Sequence, residues 1–227
     1  MGDIPRERFF AEHFQRAPFA QPATAHAAIP LLRWRTIETV MADGADMLVV
    51  RDAKLRREPN PTSFYDALEL FRDGWSLVFR RCEKHDPALR SLADAFGREL
   101  EGDVSIQLYL TPASHHSFSW HYDCEDVFIV QTGGVKEYYL RRNTVNPEPT
   151  LDAMPHDMQY EQETSPTIAS TLIPGDTLYI PRGWWHVARA VEDALSISVG
   201  VLSPAAASSQ AASPPRRSAS PAQSHDA

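Results

Sequence analysis

The chain has 227 residues, 43% apolar and 23% charged, the proportions of an ordinary globular protein with mass for one domain and its core rather than two. Its formal net charge of -8 comes without clustered lysines and arginines, which argues against a dedicated nucleic-acid surface, because phosphate binding relies on such clusters. Two cysteines, Cys82 and Cys124, are too few for a disulfide framework, and no run approaches the ~18 apolar residues of a membrane span.

The opening MGDIPRERFFAEHF carries charges of both signs and no apolar h-region, and Arg6 stands where a myristoylation signal needs Ser or Thr. A cytoplasmic protein is expected. Residues 1–102 read as a mostly helical flank. Apolar residues recur three and four apart at Phe64, Leu68, Phe71 and again at Leu89, Leu92, Ala93, Phe96. Thr62 and Ser63 offer N-cap oxygens to the first helix, and Asp86-Pro87 offers a cap and a first-position proline to the second. Asp46 to Val50 suits a short early strand.

From Asp103 the period changes to two, with runs at Val104 to Leu110, Val127 to Gln131, Val135 to Leu140, Leu178 to Ile180 and Leu195 to Val201. Thr132-Gly133-Gly134 and Pro174-Gly175-Asp176 read as tight hairpin turns between them. Residues 103–202 are therefore expected to form an antiparallel barrel or jelly roll, a mainly β core behind the helical flank. Residues 203–227 are almost all Ser, Ala, Pro and polar residues, a composition that cannot bury enough apolar surface to fold and reads as a disordered, solvated tail.

The chemistry-bearing segment is Trp120-His121-Tyr122-Asp123-Cys124-Glu125-Asp126. In extended chain His121 and Asp123 share a face, so an imidazole nitrogen and a carboxylate oxygen can reach one metal. A third ligand, His186, follows the turn, strand and rigid loop of Pro174 to Trp185. Two histidines and one carboxylate on one face of an octahedral metal leave three positions open, the arrangement of non-haem iron(II) oxygenases; closed zinc sites want more Cys or His, and Ca or Mg sites want oxygen shells. Lys136 stands fifteen positions after His121. Facing inward, it can pair with the distal carboxylate of 2-oxoglutarate; otherwise it is a lysine snorkelling to solvent. Tyr109 can donate to the same carboxylate or be a core aromatic. Leu195 to Val201 alternates apolar with small residues, so one face packs and the other, with Ser198, leaves room for a ligand. Trp120, Trp184 and Trp185 either wall a pocket or pack inside, and His115 and His116 either meet substrate or metal or are solvated. Cys124 reads as a small core residue, and Asp126 as a partner orienting a ligand histidine.

The ordered motifs Y-x-T-P (Tyr109 to Pro112), H-Y-D (His121 to Asp123), D-V-F-I-V-Q (Asp126 to Gln131), G-x-K (Gly134 to Lys136) and P-G-D-x-L-Y-I-P-R-G-x-x-H (Pro174 to His186) resemble the JmjC or cupin-type ribosomal oxygenases. The opening Arg8 to Phe14 is similar to that family's N-terminal helix. The resemblance implies a double-stranded β-helix, the jelly roll of the cupin and JmjC type, and an Fe(II)- and 2-oxoglutarate-dependent dioxygenase. It would use O2 to hydroxylate a protein or peptide side chain and release succinate and CO2. It further implies His121, Asp123 and His186 as metal ligands, and Lys136 and Tyr109 as cosubstrate contacts; Ser198, on the small-residue face of its strand, is read as a further cosubstrate contact. His116, Trp120 and Trp184 are the candidate substrate contacts. Ser114 to Trp120 stands where the family often carries a Gly-rich segment, and the family's larger members carry a winged-helix module for which the Ser/Pro tail stands here. A ribosomal protein or a biosynthetic peptide fits as partner, with no membrane and with a monomer or homodimer both open. Two other classes stay open: a metal cupin enzyme that works without 2-oxoglutarate, for which Lys136 and Tyr109 have no explanation, and a non-catalytic ligand-binding cupin. A histone demethylase shares the iron chemistry but usually comes with reader or zinc-binding segments.

Overall fold

A computed structural model describes residues 4–147 and 156–203. The expected tail therefore lies, from residue 204 onward, outside the described residues. The strands are β1 (Phe19–Gln21), β2 (Asp46–Arg51), β3 (Lys54–Leu55), β4 (Ser76–Arg80), β5 (Asp103–Thr111), β6 (Asp126–Gly133), β7 (Lys136–Arg141), β8 (Thr167–Leu172), β9 (Thr177–Ile180), β10 (Trp185–Ala190) and β11 (Ala194–Leu202). The helices are α1 (Arg6–Arg8), which runs into a π-turn at Phe9–His13, then α2 (Trp34–Ala42), α3 (Phe64–Arg72), α4 (Pro87–Leu100) and α5 (His156–Tyr160).

Two antiparallel sheets face each other, one ordered β1-β9-β6-β11-β5-β4-β2-β3 and the other β10-β7-β8. At the centre of the larger sheet β11 pairs along its whole length with β5, from Ala194 opposite Thr111 to Leu202 opposite Asp103. On its other side it pairs with β6, the apolar run that is buried on both faces. This is the expected jelly roll, with two corrections. The Thr132-Gly133-Gly134 and Pro174-Gly175-Asp176 turns do not close hairpins. β6 pairs with β11 and β9 while β7 pairs with β10 and β8, so both turns are corners where the chain crosses between sheets. Gly134 makes the first corner possible, since its φ is +62° and a Cβ there would lie 2.0 Å from the Asp193 carbonyl oxygen.

The flank is more than helical, because it also supplies β1 to β4, which extend both edges of the larger sheet. Its helices begin where the capping residues stand: Ser63 Oγ accepts from Asp66 N at 3.1 Å, and Asp86 Oδ1 accepts from Ala88 N and Leu89 N at 2.8 and 2.9 Å. Each such cap contributes about 1 kcal/mol. The apolar face of α4, with Leu89, Ala93 and Leu100, packs on the outer face of the larger sheet against Ile106, Leu108, Ile197 and Val199. Each of these fully buried aliphatic side chains contributes about 1.5–3 kcal/mol by leaving water. At the other end of that face Phe9 is buried among Phe14, Phe19, Phe128 and Tyr179. With one face sealed by helices, the polar and small side chains of β5, β6 and β11 point into the space between the sheets.

Candidate metal centre and cosubstrate pocket

His121 and His186 are held side by side by the backbone. They form an isolated antiparallel bridge, His121 N to His186 O at 3.1 Å and His186 N to His121 O at 2.8 Å, and the ring centroids lie 4.2 Å apart. His186 is the second residue of β10, delivered by the Pro-Gly loop that precedes the strand. His121 stands in the extended lead-in to β6. There the alternation holds: Tyr122 turns away from the site into packing on Trp185 at 4.8 Å, and Asp123 turns back toward His186, its Oδ2 3.5 Å from Nε2. One ligand atom each from His121, Asp123 and His186 lies within 4.8 Å of the others.

Both imidazoles are set in one tautomer. His121 Nδ1 donates to the Ser119 carbonyl at 2.7 Å and His186 Nδ1 donates to the Trp184 carbonyl at 3.0 Å. A carbonyl can only accept, so each Nδ1 carries a proton and Nε2 is the ring atom left to bind a metal. These carbonyls, two residues upstream of each histidine, do what was expected of Asp126. Asp126 instead accepts from Tyr179 Oη at 2.5 Å, Gln15 Nε2 at 3.1 Å and Arg182 N at 3.4 Å, and so anchors the loop before β10. The same loop is tied to the site by Gly183 N, which donates to the Asp123 carbonyl at 2.8 Å. Two imidazoles and one carboxylate on one side of a point suit a divalent first-row metal with open positions.

Beside this centre a cavity of about 810 Å³ runs between the sheets. Lys136, the first residue of β7, is 3% exposed and faces inward because the Gly134 corner has carried the chain across to the smaller sheet. Its Nζ donates to Thr111 Oγ1 at 3.2 Å and Ser196 Oγ at 3.5 Å and lies 5.2 Å from the centre of the Tyr109 ring. A bulge between Leu195 and Ser196 aims Ser196 at the lysine. No carboxylate among the described residues offsets the charge, and burial alone lowers the Lys136 pKa from 10.5 to about 7. A buried cation without a counter-ion is costly, so the wall is built for an anion supplied from outside.

Of the other expected residues, Tyr109 lines the cavity, with its hydroxyl donating to Gln107 Oε1 at 3.0 Å and its pKa raised by burial and then by the Asp123 charge. Ser198 lines it too, two residues beyond Ser196, which is the serine that meets Nζ. Trp120 lines the mouth and stacks on Tyr160 at 4.4 Å. Trp184 and His116 are not among the lining residues: Trp184 packs on the apolar cluster between the sheets, and His116 Nδ1 lies 3.4 Å from Asp52. Trp185 is fully buried and Cys124 only half-buried. Three contributors escaped the sequence reading: Thr111, the Ser119 and Trp184 carbonyls, and the Asp52-Ala53 turn that rims the cavity. Thr111 sits inside the Y-x-T-P motif, where a hydroxyl two residues from Tyr109 on the same strand face could have been found. The carbonyls carry no sequence signal.

Comparison with known proteins gives concordant matches. The JmjC domain family model matches residues 85–209. A bifunctional lysine-specific demethylase and histidyl-hydroxylase NO66 of Dictyostelium discoideum is 30% identical over 135 residues, 58% of this chain and 26% of the relative. The NO66 protein of Drosophila pseudoobscura pseudoobscura is 26% identical over 212 residues, 84% and 21%, and ribosomal oxygenase 1 of Rattus norvegicus is 28% identical over 132 residues, 58% and 22%. The chain thus spans about a quarter of the length of the curated relatives it matches. Among solved structures, Escherichia coli ycfD superposes with a TM-score of 0.66 at 24% identity, covering 90% of this chain and 54% of that one. A YcfD complex with cobalt and 2-oxoglutarate gives 0.60 at 24%, covering 90% and 53%; these likenesses show the fold.

Proposed function

The chain belongs to the JmjC domain family, and on that premise we propose that it is an Fe(II)- and 2-oxoglutarate-dependent dioxygenase that hydroxylates a side chain of a protein or peptide, with succinate and CO2 as co-products. The observation that carries the reading is the pairing of two features in one cavity: three converging ligand atoms of His121, Asp123 and His186, and a buried Lys136 with no carboxylate partner. A metal cupin that did without a dicarboxylate would have no use for that cation. Cytoplasm is the compartment that suits two free cysteines, and no described helix is long and apolar enough to cross a membrane. A ribosomal protein is the substrate class that the relatives' names favour.

In this reading His121 and His186 hold the metal through Nε2 and Asp123 through a carboxylate oxygen. The metal, once bound, supplies the redox chemistry that turns O2 against an unactivated C–H bond. The chain supplies geometry and charge. Lys136, steadied by Thr111 and Ser196, receives the far carboxylate of 2-oxoglutarate, and Tyr109 turns its hydroxyl from Gln107 to the same group. That contact fixes the cosubstrate's other end toward the metal face. The Ser119 and Trp184 carbonyls keep both Nδ1 protons in place, so neither ring can flip out of the metal-binding tautomer. Trp120 and Tyr160 cover the mouth and limit water at the reacting centre.

The test is uncoupled succinate formation from 2-oxoglutarate by the iron(II)-loaded protein under air, which needs no known substrate. Wild type should form succinate, and His186→Ala and Lys136→Ala should each reduce it at least about 100-fold, the scale on which loss of a positioning group acts. Iron binding by wild type with neither binding nor consumption of 2-oxoglutarate would hand the pocket to the cupin alternative.

A further inference from the structure

Besides Asp52, which lies against His115 and His116, the cavity holds one carboxylate that the metal and cosubstrate do not use. Glu125 lines it, lies outside the set of three converging ligand atoms, and is half-buried with no hydrogen-bond or ion-pair partner among the described residues. A carboxylate with a purely structural role looks different here: Glu163 accepts from Thr144 N, Thr144 Oγ1, Thr164 N and Ser165 N. Arg80 on the cavity wall pairs with Asp46 through Nη2, and neither it nor Lys54 is paired with Glu125.

The larger sheet makes room for Glu125 on purpose. Gly200 sits in the middle of β11, hydrogen-bonded on both sides opposite Ser105 and Val127. Its φ is not in the left-handed region, so the backbone does not require a glycine there. A Cβ at Gly200 would lie 2.0 Å from Glu125 Oε2. A glycine inside a regular strand weakens it and marks a place where another group must approach closely; here that group is the Glu125 carboxylate, laid across the sheet floor two residues from Asp123. Ser196, Ser198 and Gly200 follow one another on this inner face, so the floor runs from the lysine end, past Ser198, to the carboxylate. Asp52 and Asp123 share the cavity wall with Lys54, Arg80 and Lys136, so its charges balance overall, and none of these cations pairs with Glu125. A carboxylate left unpaired in this way favours a cationic group beside it.

We infer that Glu125 is the specificity-determining residue of the pocket, the carboxylate that receives a cationic side chain, guanidinium or ammonium, of the substrate peptide beside the metal centre. The inference takes the oxygenase reading as its premise for what happens next to that side chain, while the subsite itself is a binding property. Glu125 fixes which side chain enters, and the metal ligands and Lys136 act on whatever it admits.

The test reads binding. Full-length protein loaded with Mn(II) and 2-oxoglutarate without O2 is titrated with Nα-acetyl-arginine amide, Nα-acetyl-lysine amide and their uncharged counterparts, the citrulline and norleucine amides, by ligand-observed NMR. One cation should bind about tenfold or more tightly than its neutral counterpart, the ratio a charge-assisted hydrogen bond supplies; whichever does identifies the guanidinium or ammonium source. Glu125→Gln, an isosteric change, should bring the ratio close to one. Gly200→Ala, which displaces only the mobile end of Glu125, should reduce it with the charge still present. Equal binding of charged and neutral amides by wild type, or a ratio that survives Glu125→Gln, overturns the proposal. Uncoupled succinate formation by wild type is scored separately: its absence alongside an intact cation preference removes the oxygenase reading and leaves the subsite standing.

Discussion

Replacing Lys136 with Met removes a buried charge while keeping most of the volume, so the metal-free chain should become more stable rather than less. The lysine is 3% exposed and meets two hydroxyls and the rings of Tyr109 and Tyr138, with no carboxylate among the described residues to pair it. Its fall from 10.5 to about 7, at about 1.4 kcal/mol per tenfold change, sets a ceiling of roughly 5 kcal/mol on what burial costs the protonated fold. Below pH 7 folded and unfolded chains both bind the proton, and wild type bears the whole cost. Between about pH 7 and 10.5 only the unfolded chain still binds it, so wild-type stability rises with pH, and near pH 10.5 the cost is gone. Urea unfolding of wild type and Lys136→Met at pH 6 and pH 10.5, in chelator, should show the variant ahead by several kcal/mol at the lower pH, with the gap closing toward the pure packing difference at the higher. Saturating 2-oxoglutarate should then narrow the gap at pH 6, stabilising wild type by about 2.7 kcal/mol at one hundred times its Kd and the variant by almost nothing. Equal stability of the two proteins at both pH values would refute the picture of a dry, unpaired lysine facing the cavity.

Two further outcomes follow from the same framework. Gly134→Ala forces a Cβ to 2.0 Å from the Asp193 backbone carbonyl at φ +62°, so it should cost about 3 kcal/mol or more; thermal unfolding reads the loss, and whatever folds should bind 2-oxoglutarate poorly, because this corner delivers Lys136. Glu163, whose burial is outweighed by the hydrogen bonds from Thr144 and Ser165, has its pKa pushed down to about 2. It stabilises the fold above its ordinary value of 4.5 and loses that contribution as pH falls toward 2, so Glu163→Gln should lower the melting temperature by about 5 °C at pH 7, with the deficit shrinking between pH 4.5 and 2.

The five β runs after Asp103, the caps of α3 and α4 and the H-x-D…H order are local properties, and each was legible in the sequence. Strand period, a capping oxygen before an apolar helix face, and ligand-type residues two apart are written into neighbouring positions and need no partner elsewhere. β8 was missed because Thr167–Leu172 is an exposed, Ser/Thr-rich edge strand with Ile168 turned to solvent, so no buried face imprints a period. β10 was missed because it begins on the loop's own tryptophan, inside a motif read as a turn.

What tertiary structure alone decided is where the turns lead and which side chains meet. Gly133-Gly134 has the composition of a hairpin, and only pairing across two sheets makes it a corner and carries Lys136 inward. The choice of Ser196 over Ser198 as the lysine's partner depends on a bulge in the β6–β11 register, a property of two strands together. The protonation pattern of His121 and His186 depends on main-chain carbonyls, which every residue has and no sequence can single out. Residue type and spacing thus determined the kinds of group present, because those are set along the chain. Sheet pairing, burial and backbone direction decided their partners and charges, because those are set across it.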